Sequence, residues 1–211
     1  MIKSPENNVM VKVKTKYIGN ISKILQLSAI QNGSSVDSVD LVNIMGEVVS
    51  LPHTISNKVG YKGFSTKDIQ VGDIAIFSYS IIHDFVIPYE NADPIYRNRI
   101  FYKGNEYFMA DITKIFGVIR DGEIKMINGY VMTGTFQEST LIIPSSLKKI
   151  KKAAETEVMN IGGSKTTEIP IDVNQGDKVY FNSMTAQKYQ INNKPFSIVS
   201  QNKIFGKFIS D

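Results

Sequence analysis

The sequence predicts an all-β protein made of two tandem small β-barrels, and three pairs of matched segments in one order predict it. The first pair is Ile69-Gln70-Val71-Gly72-Asp73-Ile74-Ala75-Ile76-Phe77 and Val173-Asn174-Gln175-Gly176-Asp177-Lys178-Val179-Tyr180-Phe181. In each, the glycine permits a turn with positive φ and the aspartate can bind neighbouring backbone amides. The alternation that follows sends every second residue inward. The second pair is Lys114-Ile115-Phe116-Gly117-Val118-Ile119 and Lys203-Ile204-Phe205-Gly206-Lys207-Phe208-Ile209, preceded by apolar segments that begin at Asn105 and Asn193. The third is Gly46-Glu47-Val48-Val49-Ser50-Leu51-Pro52 and Thr156-Glu157-Val158-Met159-Asn160-Ile161-Gly162.

A strand-like run fronts each unit, at Asn8–Lys14 and at Met126–Met132, and a longer polar or mixed segment follows it. Asp121-Gly122 is a strong turn signal, so the units divide there into residues 1–121 and 122–211. Each reads as strand, long loop, strand, variable loop, Gly-Asp strand, hairpin-like excursion and two closing strands. Barrel closure suits such short strands because it removes exposed edges. The units differ most after the Gly-Asp strand, where the first carries an insertion at about 78–104 and the second has only Asn182 to Asn192.

Composition removes several classes of chemistry. The 211-residue chain has no cysteine, which excludes disulfides, thiolate metal sites and a cysteine nucleophile. It has no apolar run of the roughly 18 residues a membrane span needs, and Met1 to Asn8 contains no signal-peptide core. A cytoplasmic protein without a membrane partner is expected. The net charge is +4, and the densest run, Lys148-Lys149-Ile150-Lys151-Lys152, reads as a solvated helix or loop. No aromatic-basic strand pattern favours nucleic acid.

His53 and His83 are the only histidines and lack metal-ligand spacing. His83-Asp84 would point to opposite faces of a strand and has no nucleophile motif beside it. Gly162-Gly163-Ser164-Lys165-Thr166 lacks the spacing of a phosphate loop. No catalytic residue, metal ligand or cofactor is expected, and the chain is not expected to be an enzyme.

The succession Asn8-Val9-Met10-Val11-Lys12, Gly46-Glu47-Val48-Val49, Val71-Gly72-Asp73-Ile74-Ala75-Ile76-Phe77 and Ile115-Phe116-Gly117-Val118-Ile119 resembles the co-chaperonin family. These are the small lids that cap group I chaperonin rings, and the pattern recurs in the second unit. The resemblance implies two co-chaperonin-like barrels, each with a loop after its first strand whose apolar tip docks on the chaperonin. Ordering such loops costs entropy, so several weak contacts act together through avidity.

In the second unit Ser139-Thr140-Leu141-Ile142-Ile143-Pro144 stands at the tip, with Leu141, Ile142 and Ile143 as its apolar residues. In the first, Ser22-Lys23-Ile24-Leu25-Gln26-Leu27 falls at the equivalent place, with Ile24, Leu25 and Leu27. Spacing alone leaves alternatives open. Ile18, Ile21, Leu25 and Ser28 or Ala29 also fit an amphipathic helix packed on its own barrel, and Leu141 to Ile143 also fit a buried strand.

The insertion falls at the family's roof hairpin, and its Tyr79, Phe85, Tyr89, Tyr96 and Tyr102 suit an enlarged hairpin or a subunit contact. The implied partner is a chaperonin ring that binds ATP itself, and the lid is expected to be a cyclic homo-oligomer, in the host cytoplasm if viral. A second reading keeps the fold without the activity, as a structural module of a larger assembly such as a virus particle.

Overall fold

The computed structural model describes residues 3–13, 45–82, 85–86, 95–139, 153–163, 173–191 and 194–207. Among these residues there is no α-helix, and none forms a helix long and apolar enough to cross a membrane. The strands of the first part are β1 (Asn8–Val13), β2 (Met45–Ser50), β3 (Ile74–Phe77), β4 (Phe85–Val86), β5 (Ile95–Tyr96), β6 (Arg99–Tyr102), β7 (Asn105–Asp111), β8 (Ile115–Arg120) and β9 (Glu123–Met126). Those of the second are β10 (Tyr130–Thr133), β11 (Gln137–Ser139), β12 (Ala153–Ile161), β13 (Lys178–Asn182), β14 (Gln187–Ile191), β15 (Lys194–Ser200) and β16 (Ile204–Lys207).

Two antiparallel sheets result. The first runs β6-β7-β1-β2-β3-β8-β9, and the second runs β14-β15-β10-β12-β13-β16 with β11 beside β12. Dropping β9 and β11 leaves the same six-strand order in both, so the duplication extends from sequence to topology. It also extends to irregularities. The β1–β2 ladder slips at Met10/Val11 and β10–β12 at Met132/Thr133. The β3–β8 ladder slips at Ile76/Phe77 and β13–β16 at Tyr180/Phe181. A bulge bends its strand and sharpens the local twist, so matched bulges impose matched curvature on the two sheets.

Alternation fills each interior. Val9, Val11 and Val13 of β1 meet Phe77, Phe108, Ala110, Ile115 and Val118 in the first core, while Val131, Val158, Val179, Phe181, Val199 and Ile204 make the second. The Gly-Asp turn works alike in both. The Gly72 amide donates to the Val48 carbonyl (2.8 Å) and the Val48 amide to the Asp73 carbonyl (2.8 Å). Gly176, Val158 and Asp177 repeat this at 2.8 and 2.9 Å. Gly72 and Gly176 have φ of 96° and 88°, a region that side chains with a Cβ rarely enter.

The front of the second unit differs from the sequence expectation. Met126–Met132 is not one strand: Met126 ends β9, and Ile127 to Gly129 form a turn before β10. Asn128 and Gly129 have φ of 54° and 74°, which no strand accommodates. Asp121 and Gly122, at 51° and 83°, form the tight turn of the β8–β9 hairpin, so Glu123–Met126 are hydrogen-bonded to the first sheet.

The sheets meet at a third apolar cluster. Ile76 and Phe116 of the first sheet and Met126 of β9 pack against Met132, Tyr189, Ile191, Phe196 and Ile198 of the second, with Met45, Ile119, Ile124 and Tyr130 around them. Phe116 meets Tyr130 and Tyr189 edge-on, with ring centroids 4.6 and 6.1 Å apart. Polar bonds frame the contact. The Tyr189 hydroxyl donates to the Phe77 carbonyl (3.0 Å) and the Tyr130 hydroxyl to the Thr113 carbonyl (2.6 Å).

Candidate partner-binding site

The residues that flank each proposed tip are paired across a ladder, β1–β2 in the first unit and β11–β12 in the second, where β11 has no counterpart among the described strands of the first. In the first unit the described chain stops at Val13 and resumes at Met45, and Val13 is paired with Gly46 across the β1–β2 ladder. In the second it stops at Ser139 and resumes at Ala153, which are paired with each other across β11–β12. The residues on either side of each undescribed segment are therefore partners, or next to partners, in an antiparallel pair. Ile24, Leu25, Leu27, Leu141, Ile142 and Ile143 all lie outside the described residues, as does the lysine run 148–152.

Ion pairs tie the base of each unit to its last strand. Arg120 donates through Nε to Asp73 Oδ1 and through Nη2 to Asp73 Oδ2, each at 2.7 Å. Asp73 also accepts the Gln70 amide (2.7 Å). The Arg120 hydrogen bonds hold the Asp73 carboxyl below the usual range, against the opposing effect of burial. In the second unit Asp177 accepts the Asn174 amide (2.8 Å) and Lys207 Nζ (3.2 Å). Its carboxyl is lowered first by the Asn174 amide, with Lys207 contributing less.

Within the insertion, β6 lies at the sheet edge and presents Phe101, 67% exposed, and Tyr102, 37% exposed. The Arg99 guanidinium lies over the Phe101 ring, 4.5 Å from its centroid, and Lys103 Nζ is 5.5 Å from that of Tyr102. Ile95 is exposed on β5, which pairs with β4 as a separate two-stranded ribbon. The Tyr79, Phe85 and Tyr96 side chains, and Tyr89 entirely, lie outside the described residues.

The remaining polar candidates find structural places or none. His53 is exposed, His83 lies outside the described residues, and no group of three metal-capable side chains occurs among the described residues. Gly162 packs against the Ile127 backbone so closely that a Cβ would sit 2.6 Å from its carbonyl carbon. Its amide donates to the Tyr130 carbonyl (2.7 Å), so Gly162 belongs to the joint between the sheets; Ser164 to Thr166 lie outside the described residues.

The family model described as Chaperonin 10 Kd subunit matches residues 124–208, the stretch from β9 through β16. The co-chaperonin GroES of Pelagibacter ubique (strain HTCC1062) is 36% identical over 70 residues, covering 31% of this chain and 71% of the relative. The chain belongs to the co-chaperonin family. GroES of Elusimicrobium minutum (strain Pei191) is 34% identical over 73 residues (33% of this chain, 73% of the relative), and GroES of Rhizorhabdus wittichii (strain DSM 6014 / CCUG 31198 / JCM 15750 / NBRC 105917 / EY 4224 / RW1) is 34% identical over 70 (31% and 72%). A co-chaperonin-like function follows for this member, and its β-barrel-like fold is that of two related sheets in one chain.

Sequence reasoning missed the joint between those sheets. Ile76, Phe116, Tyr189 and Phe196 are buried outside either interior, at 0 to 4% exposure. Their signal was present: apolar residues at strand positions that alternation assigns to solvent.

Proposed function

We propose that this co-chaperonin family member is a chaperonin lid with two docking loops, one per unit, of which the second is the principal one. Units 1–121 and 122–211 form the cap as a homo-oligomer, in the host cytoplasm if the source is viral. Leu141, Ile142 and Ile143 are the main contacts, and Ile24, Leu25 and Leu27 the lesser. ATP turnover belongs to the partner ring, and this chain performs no reaction. The observation that supports the reading is the pairing of the residues that flank each proposed tip, Val13 opposite Gly46 and Ser139 opposite Ala153, on a co-chaperonin-like framework. A loop anchored at both ends by a ladder can order on a partner without disturbing its barrel, and release is retained because ordering opposes binding.

Limited proteolysis with and without a chaperonin ring and nucleotide tests this. Cutting near Lys23 and around Lys148 to Lys152 in the free protein, with protection in the complex, is the expected pattern. Replacing Leu141, Ile142 and Ile143 together by Ser should abolish binding and leave the far-ultraviolet spectrum unchanged. A protein already protected when alone, and forming no complex, would instead be a structural module of a larger assembly.

A further inference from the structure

A cleft of about 410 Å³ opens where the two units meet, a size within the range of small-molecule sites. Among the described residues it is lined by Gly60, Phe64 and Thr113 from the first unit and by Tyr130, Asn202 and Lys203 from the second. Equivalent turns border it on both sides. The 3-10 turn Ile112–Lys114 links β7 to β8, and Gln201–Lys203 links β15 to β16. The Ile112 amide donates to the Asn7 carbonyl (2.8 Å) and the Gln201 amide to the Gly129 carbonyl (2.9 Å), so Thr113 and Asn202 hold the same place in their units. The Tyr130 hydroxyl, donating to the Thr113 carbonyl (2.6 Å), ties the two sides together.

The lining suits an anion attached to a ring. Phe64 and Tyr130 supply aromatic side chains, both half-buried. Lys203 is exposed and makes no ion pair among the described residues. No carboxylate lines the cleft among those residues. Asp111, two residues before Thr113, has both oxygens engaged: Oδ1 accepts the Thr113 amide (2.9 Å) and hydroxyl (2.6 Å), and Oδ2 accepts the Tyr61 hydroxyl (2.9 Å). Burial first, and then the Asp111 charge, push the Tyr130 phenol up to about 12, so its hydroxyl stays a neutral donor.

Two buried polar atoms next to lining residues lack a partner among the described residues: Nδ2 of Asn128 and Oε1 of Gln201, in residues 2% and 3% exposed. Their other bonds fix which amide atom is which. Asn128 Oδ1 accepts the Ser65 amide (3.1 Å), and Gln201 Nε2 donates to the Gly162 carbonyl (3.5 Å). Ser65 follows Phe64 in the chain, and Gln201 precedes Asn202. Buried groups of this kind cost stability unless they are matched. One is a donor and the other an acceptor, so a ligand that carries both an acceptor and a donor, as a nucleobase does, complements them.

We propose that this cleft binds a small planar ring bearing an anionic group, an aryl phosphate or a nucleoside monophosphate, with the anion on Lys203 and the ring against Phe64 and Tyr130. Because both units line the cleft, the site is complete only when they are joined, and a bound ligand stabilises the joint. The site goes beyond the lid reading and does not depend on it.

Calorimetric titration of the full chain with phenyl phosphate and with adenosine monophosphate, alongside thermal melts, tests this. Both probes should bind saturably and raise the melting temperature. Inorganic phosphate has the charge without the ring and should bind about tenfold more weakly, or less tightly still. Lys203 is exposed, so Lys203→Ala should fold normally and weaken both probes about tenfold, the loss of one charged hydrogen bond, while Lys203→Arg retains binding. Phe64→Ala should weaken the ring-bearing probes alone. Phe64 also packs on the first core, and Lys203→Ala carries the test if Phe64→Ala fails to fold. Tighter binding of adenosine monophosphate than of phenyl phosphate supports the site and assigns it a nucleotide; equal binding supports it and assigns an aryl phosphate. No saturable binding by either probe, inorganic phosphate binding as tightly as phenyl phosphate, or undiminished binding by Lys203→Ala overturns the proposal. None of these measurements involves a chaperonin, so their failure leaves the lid reading standing.

Discussion

The two units share six strands in one order, two bulges and one Gly-Asp turn, yet they meet solvent and each other differently. In the first, β8 is covered by β9 and by the second sheet, while among the described residues its counterpart β16 has no further strand beside it. The first unit carries the longer excursion after its Gly-Asp strand, and its aspartate is held by a two-pronged arginine where the second uses a single lysine contact. A duplicated framework tolerates this because curvature and interior are set by matched bulges and alternation. The outward residues remain free to specialise.

The sharpest way to break the comparison is to exchange what covers the two closing strands. Gly117→Val drives a side chain into the Lys125 backbone and should cost about 3 kcal/mol, seen as a lower urea midpoint. The same change at Gly206 should leave the midpoint of the isolated chain unmoved. A smaller effect is expected from Asn160→Ala. Its amide accepts from Met126 and donates to the Ile124 carbonyl (3.0 Å), clamping β9 between the sheets. Losing both bonds should cost about 1–2 kcal/mol, and amide exchange at Ile124 and Met126 should quicken.

The smallest contrast concerns the aspartates. Asp73→Asn should lower the melting temperature at neutral pH more than Asp177→Asn, because Asp73 is the more buried and loses two contacts to Arg120. Both carboxyls are lowered in the folded chain, so the stability they lend is present above the ordinary carboxylate pKa. It is lost as pH falls through their folded values. The gap between wild type and Asp73→Asn should therefore be constant near neutrality and close in acid, which thermal melts across that range would display.

Much of the framework could be read from single segments, since a Gly-Asp turn followed by Ile74-Ala75-Ile76-Phe77 or Lys178-Val179-Tyr180-Phe181 is a local device with its own hydrogen bonds. The allegiance of Glu123–Met126 was not legible. As sequence it precedes β10, and only its ladder to β8 assigns it to the first sheet. The site divides in the same way. The proposed tips follow from motif order, while the pairing of the residues that flank them emerges only when Val13 meets Gly46 and Ser139 meets Ala153.

The sequence by itself determined the duplication, the strand-opening turns and the inward residues, because each depends on near neighbours and on the two-residue period of a strand. Tertiary structure decided which outward apolar residues are covered. Phe116 and Phe205 occupy the same place in the same motif, and one is 3% and the other 43% exposed. Nothing local separates them. The difference lies in whether another sheet arrives, and that is a property of how distant segments pack.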